Sequence, residues 1–395
     1  MKPICAVVLL AGLLVSPEPL QAANSFARSP NPERMPSFSW DTVPRYMHVR
    51  KVTAFTPAEV EYLASFPLVT FEKTTGSKEF GSTEAGTEQA AKAVKRINPS
   101  TKILYYRNIL VHYPSYHEDR KLEKIKGAFL VDRNGNAKLV RQQVRAYDLS
   151  NDEVQAWWLG NAKWVCSSKY IDGLFVDGNI KVLEPGYLRD QIGADKKDAV
   201  IQAYHKMMKQ LPQALGSDEL ILANIIRARF DDAGLGYLGY FDGSYIEGFE
   251  HEVGRMSRAD YVAKGIEAVQ TAARSGKIIA FTIGTGKYAD TDMDDKSRKT
   301  DRKTDSTFQQ QLTYKLALFL VCAEKYSYFM LSDGYGVDGG NSRLWMNPLP
   351  EYSRPLGPPK GPAQKRGYVY ERSFQYADVS LDIENETASI VWKRQ

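Results

Sequence analysis

The stretch Asp172-Gly173-Leu174-Phe175-Val176-Asp177-Gly178-Asn179 decides the fold. Its middle is apolar and β-prone, and it closes on a carboxylate, a glycine and an amide. A short apolar run bounded by turn residues marks a strand buried on both faces, as in a parallel sheet. Asp177 then sits at the C-terminal tip of that strand. In a parallel barrel the ligand-binding loops spring from those tips. Asp177 is therefore the reference point for the rest of the chain.

Working outward, similar runs lie on both sides. Upstream are Arg45–Arg50, Leu68–Lys73 ending near Glu72, and Lys102–Ile109 with Tyr106, Arg107 and Asn108 at its tip. Downstream are Leu220–Arg227 with Asn224 near its tip, Gly243–Phe249 with Glu247, Lys277–Gly284, and Tyr326–Asp333. Helical spacing fills most of the gaps. Thr56-Pro57-Ala58-Glu59 opens one such helix with a capping box and an early proline. Eight strand–helix alternations in this order predict an α/β fold, a (β/α)8 TIM barrel over residues 43–335. Two features interrupt the pattern. Ala128–Val140, with Asn134-Gly135-Asn136 at its centre, predicts a hairpin insertion after strand three. Residues 336–395 read as a Gly- and Pro-rich loop followed by a small antiparallel β appendage.

The first residues predict export. Lys2 precedes an apolar run from Ala6 to Val15, and Leu20-Gln21-Ala22-Ala23 offers small residues for cleavage. Residues 1–23 are thus expected to be a signal peptide of a secreted or periplasmic protein, followed by an irregular lead-in over 24–42. No run is long and apolar enough for a membrane span. Cleavage would leave Cys166 and Cys322, which fall in separate helical patterns and are expected to be buried free thiols.

The composition suits a globular chain: 395 residues, 43% hydrophobic, 25% charged, with a formal net charge of +5. That charge sets no expectation of nucleic acid or a membrane surface as partner. The 23 Tyr and 6 Trp would suit a carbohydrate substrate, and equally a large core. The five His residues form no HxH or HExxH spacing, so no metal site is expected. Gly234–Gly239 matches GxGxxG in letters but follows no predicted strand, and no cofactor is expected. The block 287–304 follows strand seven, where either a lid or a solvated loop would look the same.

Acidic residues cluster at the predicted tips: Glu72, Asp177, Glu247 and Asp333. Glycosidic hydrolysis needs two carboxyl groups across the scissile bond, one to protonate the leaving oxygen and one to attack or to activate water. Strands four and six lie two apart around a barrel, so Asp177 and Glu247 can face one another. Both follow apolar runs, where an unpaired carboxylate costs several kcal/mol. They are the expected catalytic pair. Glu72 reads as a sugar-binding acid or as a counter-charge for Lys73. Asp333 reads as a ligand contact or a turn former. Tyr106, Arg107, Asn179 and Asn224 are expected hydrogen-bonding neighbours, with a purely structural role open for each.

Phe38-Ser39-Trp40-Asp41, LVTFEK, KILYYRN, DGLFVDGN, YIEGF, YFMLSDG and Tyr370-Glu371-Arg372-Ser373-Phe374 occur here in that order. In this the chain resembles hypothetical glycosyl hydrolase family 15, and more distantly the α-galactosidase-like barrels. The resemblance implies a TIM barrel acting on a carbohydrate. The second group carries a nucleophile Asp on strand four and an acid/base carboxylate on strand six, which correspond here to Asp177 and Glu247. Glu247 departs from the Asp usual in that group, so retaining and inverting outcomes both stay open. The expected function is an exported glycoside hydrolase. A carbohydrate-binding barrel without turnover, and a lyase or transferase on the same scaffold, are the alternatives.

Overall fold

The computed structural model describes residues 28, 31–250, 256–284, 305–340 and 344–394. The expected signal peptide, most of residues 24–30 and the 287–304 block lie outside the described residues.

Eight parallel strands pair in sequence order: β1 (Met47–Val49), β2 (Leu68–Phe71), β3 (Lys102–Asn108), β4 (Gly173–Asp177), β5 (Leu220–Asn224), β6 (Gly243–Ile246), β7 (Ile278–Ile283) and β8 (Ser327–Leu331). The ring closes just before β1. Arg45 bridges Phe329, and the Phe329 N–H donates to the Pro44 carbonyl at 2.8 Å. This is the (β/α)8 barrel that the alternation predicts. The capping box also forms: the Thr56 side chain accepts from the Glu59 N–H, and the Glu59 carboxylate accepts from the Thr56 N–H at 2.6 Å.

Strand parity sorts the side chains. On β4, Leu174 and Val176 alternate with Phe175 and Asp177. Phe175 meets His48 of β1 at 4.8 Å and Tyr245 of β6 at 5.3 Å between ring centroids, and stacks on Tyr106 of β3 at 5.7 Å. These rings fill the barrel interior and form the floor on which the tip residues stand. Gly173 opens β4 because β5 approaches closely: a Cβ there would lie 2.0 Å from the Leu220 carbonyl oxygen. At the opposite end of the barrel, acids tie strands together. Asp172 accepts from the Ile103 N–H at 2.8 Å and pairs with Lys95 at 2.7 Å. Asp242 accepts from the Ile221 N–H and binds both Arg28 and Arg34.

The insertion after β3 is present but sparsely paired. Val111 bridges Ala146, Phe129 bridges Tyr147, and Val140 bridges Val144, each as an isolated antiparallel bridge. The chain turns at the predicted Asn134–Asn136, where the Asp132 N–H donates to the Asn136 carbonyl. A second reversal follows at Arg141–Gln143, with Arg141 at φ +52° and Gln142 at +57°. These left-handed residues carry Arg141 to the barrel mouth.

The C-terminal segment forms a four-stranded antiparallel sheet: β9 (Gln364–Arg366), β10 (Val369–Ser373), β11 (Ala377–Asp382) and β12 (Thr387–Trp392). Strands β10 to β12 pack on the helix Asp305–Cys322. Leu312, Leu316–Cys322 and Ala323 of that region are buried, so the helix is apolar on nearly every face of its second half. Arg372 of β10 closes its end: its guanidinium donates to the Leu320 carbonyl at 3.0 Å and the Ala323 carbonyl, and to Glu324 at 2.9 Å. A cation at these last carbonyls also opposes the helix dipole. Cys166 and Cys322 are both free and buried. No helix among the described residues is long and apolar enough to cross a membrane.

Candidate active site

A cavity of about 490 Å³ opens at the C-terminal end of the barrel. Asp177 is the last residue of β4, Asn224 the last of β5, and Glu247 follows β6 directly. All three line this cavity, together with Tyr106 and Glu72.

Three neutral donors hold Asp177. The Tyr106 hydroxyl donates to Oδ2 at 2.6 Å, Asn108 Nδ2 to Oδ2 at 3.0 Å, and Asn224 Nδ2 to Oδ1 at 3.3 Å. Gly178 makes the second contact possible. It adopts φ +81°, and a Cβ there would lie 2.4 Å from Asn108 Oδ1. Burial acts to raise the Asp177 pKa. The Lys181 charge, the Tyr106 hydroxyl, the Gly178 N–H and Lys73 outweigh it and hold the carboxyl below its ordinary range. Asp177 is thus a preserved anion.

Glu247 has a different surrounding. Tyr335 donates to Oε1 at 3.0 Å, while Asn224 Nδ2 and an Arg227 nitrogen reach Oε2 at 3.0 and 3.2 Å. Its side chain is 28% exposed, so it faces the mouth. Tyr335 also exchanges a hydrogen bond with Tyr245. The Asn224 amide nitrogen therefore serves both acids. Two legs of 3.3 and 3.0 Å from one nitrogen keep Asp177 Oδ1 and Glu247 Oε2 within 6.3 Å of each other.

The other expected residues divide. Glu72 is buried beside Lys73, with Arg50 at 3.6 Å. The Lys73 ammonium lies 5.5 Å from the Tyr106 ring and 4.9 Å from Tyr113. Arg107 is turned out of the cavity by strand parity. Its guanidinium lies between Tyr116 and Trp157, at 4.1 and 4.6 Å from their centroids. Asn179 is fully buried and does not line the cavity. It donates to the Val176 and Asn224 carbonyls and accepts from Tyr204, bracing β4 against β5. Asp333 lines a separate, smaller cavity near β1 and β8, and accepts from the Leu344 N–H at 3.2 Å.

Sequence reasoning did not select Asn108, Arg227, Tyr335 or His48. Asn108 was legible, since it shares the inward parity of Tyr106 on β3. Arg227 and Tyr335 lie in loops beyond β5 and β8, where no period applies. His48 is inward on β1, and burial, with the Lys73 charge, pushes its pKa down to about 3. It is a neutral imidazole in the cavity lining, and neither ring nitrogen has a protein partner among the described residues. No group of three or more His, Cys, Asp or Glu residues that could hold a metal occurs among the described residues.

The model of hypothetical glycosyl hydrolase family 15 matches residues 95–378. The chain belongs to that family. The family match spans Asp177, Asn224 and Glu247, and begins downstream of β1 and β2, which bring His48 and Glu72 to the site. No curated protein matches the chain. Among solved structures, the family member is similar to a GH36 alpha-galactosidase from Geobacillus stearothermophilus, at 12% identity and a TM-score of 0.45 over 76% of this chain and 40% of that one. It is similar to an alpha-galactosidase from Lactobacillus brevis, at 11% identity and a TM-score of 0.47 over 85% and 46%. A maltogenic alpha-amylase from Thermotoga neapolitana matches at 12% identity and a TM-score of 0.46 over 90% and 87%. The chain thus spans less than half the length of these alpha-galactosidases.

Proposed function

We propose that the protein is an exported glycoside hydrolase that cleaves O-glycosidic bonds with retention of anomeric configuration. Asp177 is the nucleophile and Glu247 the acid/base. The observation that carries this reading is the shared Asn224 donor, which keeps one oxygen of each acid within 6.3 Å of the other. Retaining enzymes hold their carboxyls about 5–5.5 Å apart, while inverting ones leave about 6.5–9.5 Å for a water.

In the first step an Asp177 oxygen attacks the anomeric carbon. The bond to the leaving oxygen breaks, and Glu247 gives that oxygen its proton. In the second, Glu247 takes a proton from water, whose oxygen attacks the anomeric carbon and releases Asp177. Its low pKa keeps Asp177 ionised for attack. The exposure of Glu247 toward the mouth suits the residue that must meet both leaving group and water. Export rests on the charged start and apolar run of residues 2–23.

Proton NMR of a fresh digest tests the stereochemistry. The same anomer as the substrate must appear first; immediate appearance of the opposite anomer would refute the double displacement. Trapping with a 2-deoxy-2-fluoro glycoside should add the sugar's mass to the peptide carrying Asp177. A label on another carboxylate would remove Asp177 as nucleophile.

A further inference from the structure

An acid/base residue holds a proton in one step and lacks it in the next, and the two oxygens of Glu247 are not equivalent for that task. Oε2 accepts from Asn224 Nδ2 at 3.0 Å and from an Arg227 nitrogen at 3.2 Å. An amide nitrogen and a guanidinium nitrogen carry hydrogen and have no lone pair to offer. A proton on Oε2 would be the third hydrogen around an oxygen with two lone pairs. Turning the Asn224 amide over does not relieve this, because its carbonyl oxygen would then face Asp177, which stays ionised.

Oε1 has a reversible neighbour. The Tyr335 hydroxyl donates to it at 3.0 Å and also exchanges a hydrogen bond with the Tyr245 hydroxyl. A phenol hydroxyl rotates, so Tyr335 can give its hydrogen to the carboxylate or to Tyr245. Burial raises both phenols well above their ordinary pKa, so each keeps its own proton.

The ends of two strands hold Tyr335 in place. Beyond β8 the chain runs beside the end of β1. The Arg50 N–H donates to the Tyr335 carbonyl at 2.8 Å, and the Val337 N–H to the Arg50 carbonyl at 3.0 Å. The Tyr335 ring is buried and packs against His48, with centroids 4.8 Å apart. Its hydroxyl therefore meets Glu247 from a fixed base.

We infer that the transferable proton of Glu247 is carried by Oε1, and that Tyr335 is the positioning residue that keeps it there. The part of this that concerns turnover rests on the hydrolase reading. As the glycosidic bond breaks, the bond between Oε1 and the proton breaks too. The leaving oxygen takes the proton, and the electron pair stays on Oε1. Tyr335 then turns its hydrogen from Tyr245 to the new charge, and no proton passes to or from the phenol. A hydrogen bond to an oxygen that gains charge strengthens as the charge develops, so it lowers the barrier more than it tightens substrate binding. The leaving oxygen accordingly meets the Oε1 edge of the carboxyl, not the edge held by Arg227.

Neutron diffraction of the wild-type protein tests the proton's place without a substrate. In deuterated crystals acidified until Glu247 binds a deuteron, that deuteron should lie on Oε1. A deuteron on Oε2, or divided between the oxygens, overturns the inference. Kinetics test the part played by Tyr335. Tyr335→Phe keeps the ring and removes the hydroxyl. Its kcat/KM should fall about tenfold or more on poor leaving groups, and less than about threefold on activated aryl glycosides. Equal losses on both classes would mark a structural role alone and overturn the assignment. Should that variant not fold, the deuteron's position decides. Glu247→Gln on the same substrates separates the two readings. A leaving-group split in Glu247→Gln with none in Tyr335→Phe overturns the present inference only. No split in Glu247→Gln removes the acid assignment itself, while the deuteron still decides which oxygen takes the proton.

Discussion

Asp177 and Glu247 share a single hydrogen-bond donor, the side-chain nitrogen of Asn224, which stands 3.3 Å from one acid and 3.0 Å from the other. Each hydrogen of that amide can serve one carboxylate, so the pair is held at a fixed span without a bridging proton. Asn224→Ala should therefore lower kcat by about 100-fold with little change in folding, the order expected when a positioned group is misplaced by an ångström. An Asn224→Ala enzyme with wild-type kcat would mean that the span is set elsewhere.

Asp177→Asn should keep the fold and lose about 10⁴-fold or more in kcat. Glu247→Gln should cost about 10²–10⁴-fold on substrates with poor leaving groups and much less on activated aryl glycosides, because only the former need the proton. Equal losses on both classes would argue against an acid role.

The Asp177 carboxyl lies below its ordinary range, first against burial and then through Lys181, Tyr106, Gly178 and Lys73. With ionised Asp177 as the proposed nucleophile, the acid limb of kcat/KM for the free enzyme should lie below the ordinary aspartate range. Removing the largest cation contribution with Lys181→Gln should move that limb upward. A limb unmoved in this variant would assign it to another group.

Glu219, beside the start of β5, has its pKa raised to about 7, by burial and then by Asp172 and Asp218. The folded protein thus holds this proton more tightly than the unfolded chain. The resulting stability is complete below about pH 4.5 and is lost as pH rises through about 7. Glu219→Gln should unfold at higher temperature than wild type at pH 8 and lose that advantage near pH 4. Thermal melts across that range check the sign.

Gly178→Ala should damage the site without touching an acid. A methyl group would meet the Asn108 amide and oppose φ +81°. Loss of about 1–2 kcal/mol of stability is expected, with a disproportionate fall in kcat as Asn108 leaves Asp177. Stability lost with kcat intact would show that Asn108 does not matter to Asp177.

The barrel was legible because buried parallel strands are short apolar runs, and eight of them stand in order. The tips were legible for the same reason: Asp177, Asn224 and Glu247 end runs that could not otherwise tolerate them. Of the two roles open to Arg107, the structural one is the one its geometry fits, and strand parity is the reason. Tyr106 faces inward, so its neighbour faces the helices, where Tyr116 and Trp157 take the guanidinium. Asn179 lies beyond the strand in the first turn of a helix, and Asp333 turns toward a smaller cavity. Tyr335 and Arg227 reach Glu247 from irregular loops, which carry no periodic signal.

The helix Asp305–Cys322 is wedged between the barrel and the C-terminal sheet, with Arg372 fastened to its final carbonyls. Anyone trimming the protein to a minimal catalyst would be tempted to discard the sheet, which contributes nothing to the cavity lining. Doing so would strip an oily helix of its cover and expose a surface prone to self-association. The last strands are in effect the lagging of the catalytic vessel, and truncation there should end in precipitate before it ends in a smaller enzyme.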